Sequence, residues 1–198
     1  MPREGVFAIV LRAGNISEGD KMEVIVQRKS LRTAVVTLSD KGSQGEREDR
    51  SGPIIKQLLE QAGYLVEEQI LLPDHQKQLE ETLIDLADRR QMDLIITTGG
   101  TGFSPRDLTP EATMAIAERN APGIAEAIRA YSMQITGRAM LGRGVSVIRG
   151  TTLIINLPGS PKAVKEGLEC ILPFLDHGIE MLRGKAEDCA AQEREGGI

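Results

Sequence analysis

The sequence predicts an α/β fold in which a mainly parallel sheet is covered by helices on both faces. Short apolar runs typical of buried strands alternate with amphipathic stretches of about 10 to 15 residues. The chain has 198 residues, which suffices for one domain and a small appendage. Hydrophobic residues make up 40% and charged residues 27%, a balance that supports one buried core and excludes wholesale disorder.

The predicted strands of the main sheet begin after residue 31. The first covers residues 33–38, and the others cover residues 64–72, 93–98, 144–149 and 151–157. Apolar and β-branched residues dominate these runs, as in strands that are buried on both faces. Alternation with helices then favours parallel pairing in one sheet.

Helix boundaries are predicted from capping and stop signals. Ser51 is the predicted N-cap of a helix with Pro53 in its first turn and Gly63 as its stop. Four further helices are predicted. One carries Leu79, Leu83, Ile84 and Leu86, a second begins at Thr109 and Pro110, and a third runs from Pro122 to about Ile135. The last begins at Ser160 and Pro161, and a kink is expected at Pro173 before Leu182.

The two ends of the chain depart from this pattern. Residues 5–11 and 22–28 are predicted to form a short β hairpin, so that the appendage covers residues 1–30. The main domain is predicted over residues 31–184. Residues 185–198 are predicted to be a polar tail.

Composition excludes several functional classes. The net charge of -5 is the wrong sign for holding nucleic acid through its phosphates, and 3% aromatic residues leave little for base stacking. Cys170 and Cys189 are too few for a disulfide framework or a four-cysteine zinc site. A secretory signal pattern and an apolar run approaching the ~18 residues of a membrane span are absent, so we expect a cytoplasmic protein without membrane contact.

Four loops follow predicted strand ends, where ligands bind in parallel α/β sheets. They cover residues 39–50, 73–75, 99–107 and 158–160. If these strands run parallel, the four loops meet at one edge of the sheet. A ligand crevice is therefore expected there.

The glycine-rich segment over residues 97–102, Thr-Thr-Gly-Gly-Thr-Gly, ends a predicted strand. Its three glycines allow successive N–H groups to point into one concavity that binds anions. A tight strand-to-helix turn that needs glycine for geometry alone explains the segment equally well. It is not a dinucleotide-binding fingerprint, because Pro105 stands where the third glycine belongs, and no Walker A motif is present.

Asp74 and Asp107 follow two strand ends and are candidate magnesium ligands. Magnesium binds through one or two carboxylates together with substrate phosphate oxygens. Taken alone, Asp107 is also explained as a helix cap or surface carboxylate. The segment over residues 156–162 opens the last helix, where free N–H groups favour a phosphate, although an ordinary Ser-Pro helix start explains it as well.

The histidines and cysteines show no catalytic pattern. His75 and His177 have no partners at metal-ligand spacing and are expected at the surface or at helix ends. Cys170 is expected to pack in the core. A nucleophile paired with a histidine is therefore not predicted.

In these motifs the sequence resembles the molybdopterin-binding family of the MogA/MoaB type, over about residues 31–183. The motifs occur in the family's order and cover residues 38–40, 49–53, 72–74, 97–102, 106–113 and 156–162. Residues 147–149 and 156–159 resemble the adenylyltransferase branch, MogA, more than the MoaB branch. Residues 1–30 resemble the closing strands of a MOSC domain, but they are too short for that domain and contain no cysteine.

The resemblance implies a homotrimer that transfers AMP from ATP to the terminal phosphate of molybdopterin, ahead of molybdate insertion. It implies that Asp74 and Asp107 are catalytic and bind Mg²⁺, and that contact with the molybdenum-insertion enzyme is possible. The implied substrate-binding and nucleotide-binding residues are Ser39, Asp40, Thr98, Gly99, Gly100, Thr101, Gly102, Arg106, Asn156, Pro158, Gly159 and Ser160. A non-catalytic molybdopterin carrier of the MoaB type and a trimeric scaffold are the alternatives.

Overall fold

The computed structural model describes residues 31–184. The predicted N-terminal hairpin and the predicted polar tail lie outside these residues. None of the helices in this range is both long and apolar enough to cross a bilayer.

Six strands form one sheet in the order β2-β1-β3-β6-β5-β4. They are β1 (Arg32–Leu38), β2 (Leu65–Leu72), β3 (Leu94–Thr98), β4 (Arg119–Asn120), β5 (Ser146–Arg149) and β6 (Thr152–Leu157). The first four strands of this order are parallel, whereas β5 is antiparallel to both of its neighbours. The carboxyl ends of β1, β2, β3 and β6 therefore lie at the same edge.

Helices cover both faces of the sheet, as predicted. They are α1 (Asp40–Ser43), α2 (Ser51–Gln61), α3 (Gln76–Ile84), α4 (Thr109–Ala115), α5 (Pro122–Ile135) and α6 (Pro161–Leu182), with a π-helical turn over Asp85–Arg89 and a 3-10 turn over Gly137–Leu141. Val35 of β1 belongs to the core beneath α2, α5 and α6, whereas Val36 belongs to the core beneath α3 and α4. Successive side chains of a strand point to opposite faces, so β1 contributes to both cores.

The central strands are nearly fully buried, which explains their continuous apolar sequences. Every residue of β3 and of β6 is buried, and β1 is buried except at Arg32. The edge strand β2 instead alternates between exposed and half-buried positions over most of its length. These patterns are expected for interior and edge positions of a parallel sheet.

Most predicted boundaries agree with the structure to within two residues, but the start of α2 needs a correction. Ser51 is the first helical residue rather than the N-cap. The Asp49 carboxylate performs the capping, because it accepts hydrogen bonds from the N–H groups of Ser51 (2.9 Å) and Gly52 (3.0 Å). Gly63 ends the segment with φ +93°, as predicted. Helix α6 is continuous through Pro173.

Candidate active site at the carboxyl edge of the sheet

Hydroxyl groups tie together the loops that follow β1, β3 and β6. Thr98 donates a hydrogen bond to the carbonyl oxygen of Pro158 (2.7 Å), and Ser51 donates one to that of Gly159 (2.9 Å). Thr109 donates to the carbonyl oxygen of Gly99 (2.9 Å). The loops that surround the predicted crevice are therefore in direct contact with one another.

The glycine-rich loop adopts a backbone that side chains would not tolerate. Gly99 has φ +94° and Gly100 has φ +61°. A Cβ atom at Gly99 would lie 2.3 Å from the carbonyl oxygen of Leu38, and one at Gly100 would lie 2.4 Å from the Thr109 hydroxyl. A Cβ atom at Gly159 would lie 3.3 Å from the Gly99 backbone. Glycine is therefore required both for the conformation and for the close approach of β1, β3 and β6.

Several backbone N–H groups at this edge lack a protein partner. Among residues 31–184, the N–H groups of Gly100, Thr101, Gly102, Gly159 and Ser160 donate no hydrogen bond to the protein. The carbonyl groups of the preceding Gly99, Pro158 and Gly159 are held by hydroxyls. Across a trans peptide, the C=O group and the N–H group of the next residue point in opposite directions. The N–H groups of Gly100, Gly159 and Ser160 therefore face away from the hydroxyls that hold the preceding carbonyl groups. Free N–H groups of this kind favour an anion, in agreement with the predicted nest.

Asp40 and Asp74 are joined across the loops after β1 and β2. The Asp40 N–H donates to the Asp74 carboxylate (3.1 Å), and the Asp74 N–H donates to the Asp40 carboxylate (3.0 Å). Arg106 forms an ion pair with Asp40 at 2.5 Å. Three predicted site residues are thus brought into one cluster.

The environment of Asp74 opposes its negative charge. Burial raises the pKa of this carboxyl group above its ordinary value, and the carboxylates of Asp40 and Asp107 act in the same direction. The Asp40 N–H and the Arg106 guanidinium lower the pKa but do not cancel these effects. A cation beside Asp74 would relieve the crowding of negative charge.

Asp107 lies beside the end of the glycine-rich loop. Its carboxylate accepts a hydrogen bond from the Ser104 N–H (2.9 Å), and a Cβ atom at Gly102 would lie 2.9 Å from it. A Cβ atom at Gly100 would lie 3.4 Å from the Asp74 carboxylate. Asp74 and Asp107 therefore both lie against the loop that carries the free N–H groups.

Arg143 braces this loop and was not predicted from the sequence. Its backbone N–H donates to Thr101 (3.0 Å), and its Nε donates to the carbonyl oxygen of Gly102 (2.7 Å). Its guanidinium also contacts the carbonyl oxygen of Asp107 and the Glu111 carboxylate. The segment over residues 142–144, Gly-Arg-Gly, gives no local sign of this role, because all the acceptors lie more than 30 positions away in the chain.

Two predicted site residues use their side chains within the protein. The Asn156 amide donates to the hydroxyls of Thr97 and Thr113 (2.9 Å each) and accepts from the Val145 N–H (3.2 Å). The Ser39 hydroxyl caps α1 by accepting from the Gly42 N–H (3.0 Å). These hydrogen bonds hold β6 and the loop after β1 in place. Direct contact of Asn156 or Ser39 with a ligand stays a prediction.

Two depressions open at this edge of the sheet. One is a cavity of about 520 Å³ lined by Gly100, Thr101, Gly102, Asp107 and the start of α6, with α5 as its far wall. The other, about 570 Å³, is lined by charged residues that include Asp40, Asp74, Lys77 and Arg106. Both volumes lie within the range of small-molecule sites.

The donor groups fit a magnesium ion that a phosphorylated substrate helps to hold. Within residues 31–184, no group of three or more His, Cys, Asp or Glu side chains is arranged to hold a metal without such help. Asp74 and Asp107 do supply carboxylate oxygens beside an anion-binding loop. Magnesium prefers this combination of few carboxylates and phosphate oxygens.

The histidines and the described cysteine lie where the sequence predicts. His75 caps α3 through its ring nitrogen, which accepts from the Gln78 N–H (3.3 Å), and His177 is exposed on α6. Cys170 is half-buried and packs against the larger core. His75 also lines the charged depression beside Asp40 and Asp74.

The fold is that of an α/β protein, and the carboxyl edge of its sheet carries free backbone N–H groups beside aspartates, which suit a phosphorylated ligand bound with a cation. The family described as "probable molybdopterin binding domain" matches residues 34–177. The chain therefore belongs to this molybdopterin-binding family. This confirms the family predicted from the sequence motifs.

Individual relatives agree with this assignment. The chain is 46% identical over 143 residues to the molybdopterin adenylyltransferase of Haemophilus influenzae, which covers 70% of this chain and 72% of that protein. It is 36% identical over 160 residues to that of Helicobacter pylori, covering 79% and 90%. The crystal structure of the molybdopterin biosynthesis enzyme MoaB from Thermus thermophilus matches with a TM-score of 0.75 and 44% identity, covering 78% and 98%.

Proposed function

We propose that this protein is a molybdopterin adenylyltransferase of molybdenum cofactor biosynthesis. It transfers AMP from ATP to the terminal phosphate of molybdopterin and releases pyrophosphate. The observation that carries the proposal is the pairing of free backbone N–H groups at Gly100–Gly102 with the carboxylates of Asp74 and Asp107. The names of the curated relatives support the same activity.

The reaction needs no basic side chain to generate its nucleophile. A phosphate monoester has a second pKa near ~6, so its oxygen is largely ionised at neutral pH. That oxygen attacks the α-phosphorus of ATP, forming a P–O bond, while the bond from the α-phosphorus to the bridging oxygen breaks. Pyrophosphate leaves with the electron pair. The use of the His75 ring nitrogen as the cap of α3 is therefore compatible with the reaction.

In this reaction the residues of the chain align the two substrates and neutralise the charge of their phosphates. The free N–H groups of Gly100, Thr101 and Gly102 hold phosphate oxygens, as in other phosphoryl transfers that depend on positioning. Asp74 chiefly holds Mg²⁺, and Asp107 holds Mg²⁺ or orients the substrate. When bound, Mg²⁺ offsets the negative charge of the phosphates.

The charged depression would take the triphosphate end of ATP together with Mg²⁺. Lys77 and Arg106 lie in its wall with Asp40, Asp74 and Glu81, so a cation would be needed to offset the excess of carboxylates. The cavity between the glycine-rich loop and α5 has a larger apolar share and is more suited to a flat heterocycle. The two substrates would then meet at Gly100–Gly102.

A direct assay tests this function. Purified protein is incubated with ATP, Mg²⁺ and freshly prepared molybdopterin, and pyrophosphate and adenylated pterin are quantified together. We expect one pyrophosphate for each adenylated pterin formed. Tight binding of molybdopterin without either product would instead support the carrier alternative.

The proposed assembly follows from the family resemblance. A homotrimer and contact with the molybdenum-insertion enzyme stay predictions for this chain. A cytoplasmic location likewise stays a prediction.

A further inference from the structure

Asp49 is a half-buried carboxylate that joins β1 to the first turn of α2. One of its oxygens accepts a hydrogen bond from the Thr37 hydroxyl of β1 (2.7 Å). The other accepts from the N–H groups of Ser51 (2.9 Å) and Gly52 (3.0 Å). Both carboxylate oxygens are therefore engaged within the protein.

The close fit of this carboxylate requires glycine at position 52. A Cβ atom at Gly52 would lie 2.4 Å from the Asp49 carboxylate and 2.8 Å from the Thr37 hydroxyl. Glycine in a helix is normally unfavourable because it loses more backbone freedom on folding than other residues. Its presence in the first turn of α2 is explained by the room that it leaves for Asp49.

The first turn of α2 in turn holds the loop at the start of α6. The Ser51 hydroxyl donates to the carbonyl oxygen of Gly159 (2.9 Å), and the same peptide group carries the free N–H of Ser160. A Cβ atom at Gly159 would lie 3.3 Å from the Gly99 backbone, so this loop also packs directly on the glycine-rich loop. A shift of Ser51 would therefore displace the Ser160 N–H and the contact with Gly99 together.

We propose that Asp49 is a positioning residue for adenylyl transfer, which fixes the start of α2 so that the Ser51 hydroxyl aims the Ser160 N–H at the phosphate of molybdopterin. This inference rests on the proposed function. Gly159 and Ser160 line the 520 Å³ cavity, whereas Asp49 lines neither of the two depressions described above. Asp49 therefore acts through Ser51 and not on the substrate itself.

Asparagine at position 49 separates this role from one that needs a negative charge. Its side-chain oxygen can accept from the N–H groups of Ser51 and Gly52, and asparagine caps helices about as well as aspartate. Its amide group can donate to the Thr37 hydroxyl, which accepts as well as donates. We expect Asp49→Asn to keep kcat within about threefold of the wild-type value, whereas Asp49→Ala should lower kcat about 10- to 100-fold through misalignment.

Ser51→Ala tests the link to the loop alone, because it keeps the backbone N–H groups that Asp49 binds. Its control is Thr152→Val, which removes another buried hydroxyl-to-carbonyl bond, to Met92 (2.6 Å), at the opposite edge of the sheet. We expect Ser51→Ala to lower kcat and to raise the Kd for molybdopterin about 5- to 10-fold, the size of one neutral hydrogen bond, with KM for ATP unchanged. Thr152→Val should lower Tm and leave kcat and both substrate constants unchanged.

Amide hydrogen exchange follows the loop without turnover. The N–H groups of Ala163 and Val164 bond to Ser160, so they should exchange faster than in the wild-type protein in Asp49→Ala and Ser51→Ala but not in Asp49→Asn. Equal loss of turnover in Asp49→Asn and Asp49→Ala would overturn the inference, because the charge itself would then be essential. Unchanged kcat and Kd in Ser51→Ala would also overturn it. If the wild-type protein shows no turnover, the proposed function fails, but the Kd for molybdopterin and the exchange rates still test Asp49.

Discussion

Asp74 is held in a position where its charge is disfavoured in the free protein. Burial and the neighbouring carboxylates of Asp40 and Asp107 all raise its pKa. Its ionised form is still braced by the Asp40 N–H. A carboxylate in this state gains from a nearby cation, which is the role proposed for it.

The raised pKa of Asp74 predicts an acid limit for activity. As the pH falls through this pKa, the carboxyl group takes up a proton and could no longer serve as the proposed Mg²⁺ ligand. We expect kcat/KM to fall on the acid side with a midpoint above the ordinary pKa of aspartate. Pyrophosphate release measured across pH at limiting Mg²⁺ would show this acid limb, and saturating Mg²⁺ should move its midpoint to lower pH, because the cation competes with the proton for the carboxylate.

Stability should respond to Asp74 in the opposite direction. Because its folded pKa is raised, ionisation opposes folding, and the penalty appears as the pH rises from the unfolded pKa through the folded one. Asp74→Asn should therefore have a Tm at neutral pH at least equal to that of the wild-type protein. A large drop in Tm would mean that the carboxylate is structural, and lost activity could then not be assigned to chemistry.

At the level of elements, the loop after β3 depends on a side chain from the segment before β5. The Arg143 side chain donates to the carbonyl groups of Gly102 and Asp107 and pairs with Glu111 at the start of α4. These contacts fix the loop at both ends of the segment that carries Asp107. The alignment of the carboxylate with the glycine-rich loop is therefore a property of three elements together.

Arg143→Gln should reduce turnover more than it reduces stability. We expect kcat to fall about 10- to 100-fold, since a displacement of about 1 Å in a positioning group has effects of this size. Loss of the two carbonyl partners should lower the free energy of unfolding by about 1–3 kcal/mol. Arg89→Gln, which removes an exposed ion pair with Asp85, is the control. It should change both kcat and the free energy of unfolding only slightly. Equal effects in both variants would contradict the bracing role.

The elements themselves were largely predictable from local sequence. Helix α5 begins at Pro122 and ends at Ile135, as predicted, because proline is favoured in the first turn and the apolar spacing continues to that point. Helix α1 and strand β4 were missed, since four and two residues are too short to show periodicity. The predicted N-cap at Ser51 was wrong because the Asp49 carboxylate, two residues earlier, accepts from the N–H groups of Ser51 and Gly52.

At the scale of the whole molecule, the strand order brings the site together. Parallel pairing of β2, β1, β3 and β6 places four loops at one edge, and this was inferred from the alternation of strands and helices. The side-chain contacts within the site could not be predicted from this alternation. Arg143 acts through partners that are distant in the chain, and no local pattern indicates this role.

The central claim is that the two carboxylates beside the glycine-rich loop perform the chemistry of adenylyl transfer. The most direct measurement compares turnover and molybdopterin affinity in Asp74→Asn, Asp107→Asn and the wild-type protein at saturating ATP and Mg²⁺. We predict that each variant loses about 100-fold or more in turnover while the Kd for molybdopterin changes by less than about threefold. Turnover within a few-fold of the wild-type value in both variants would contradict the account.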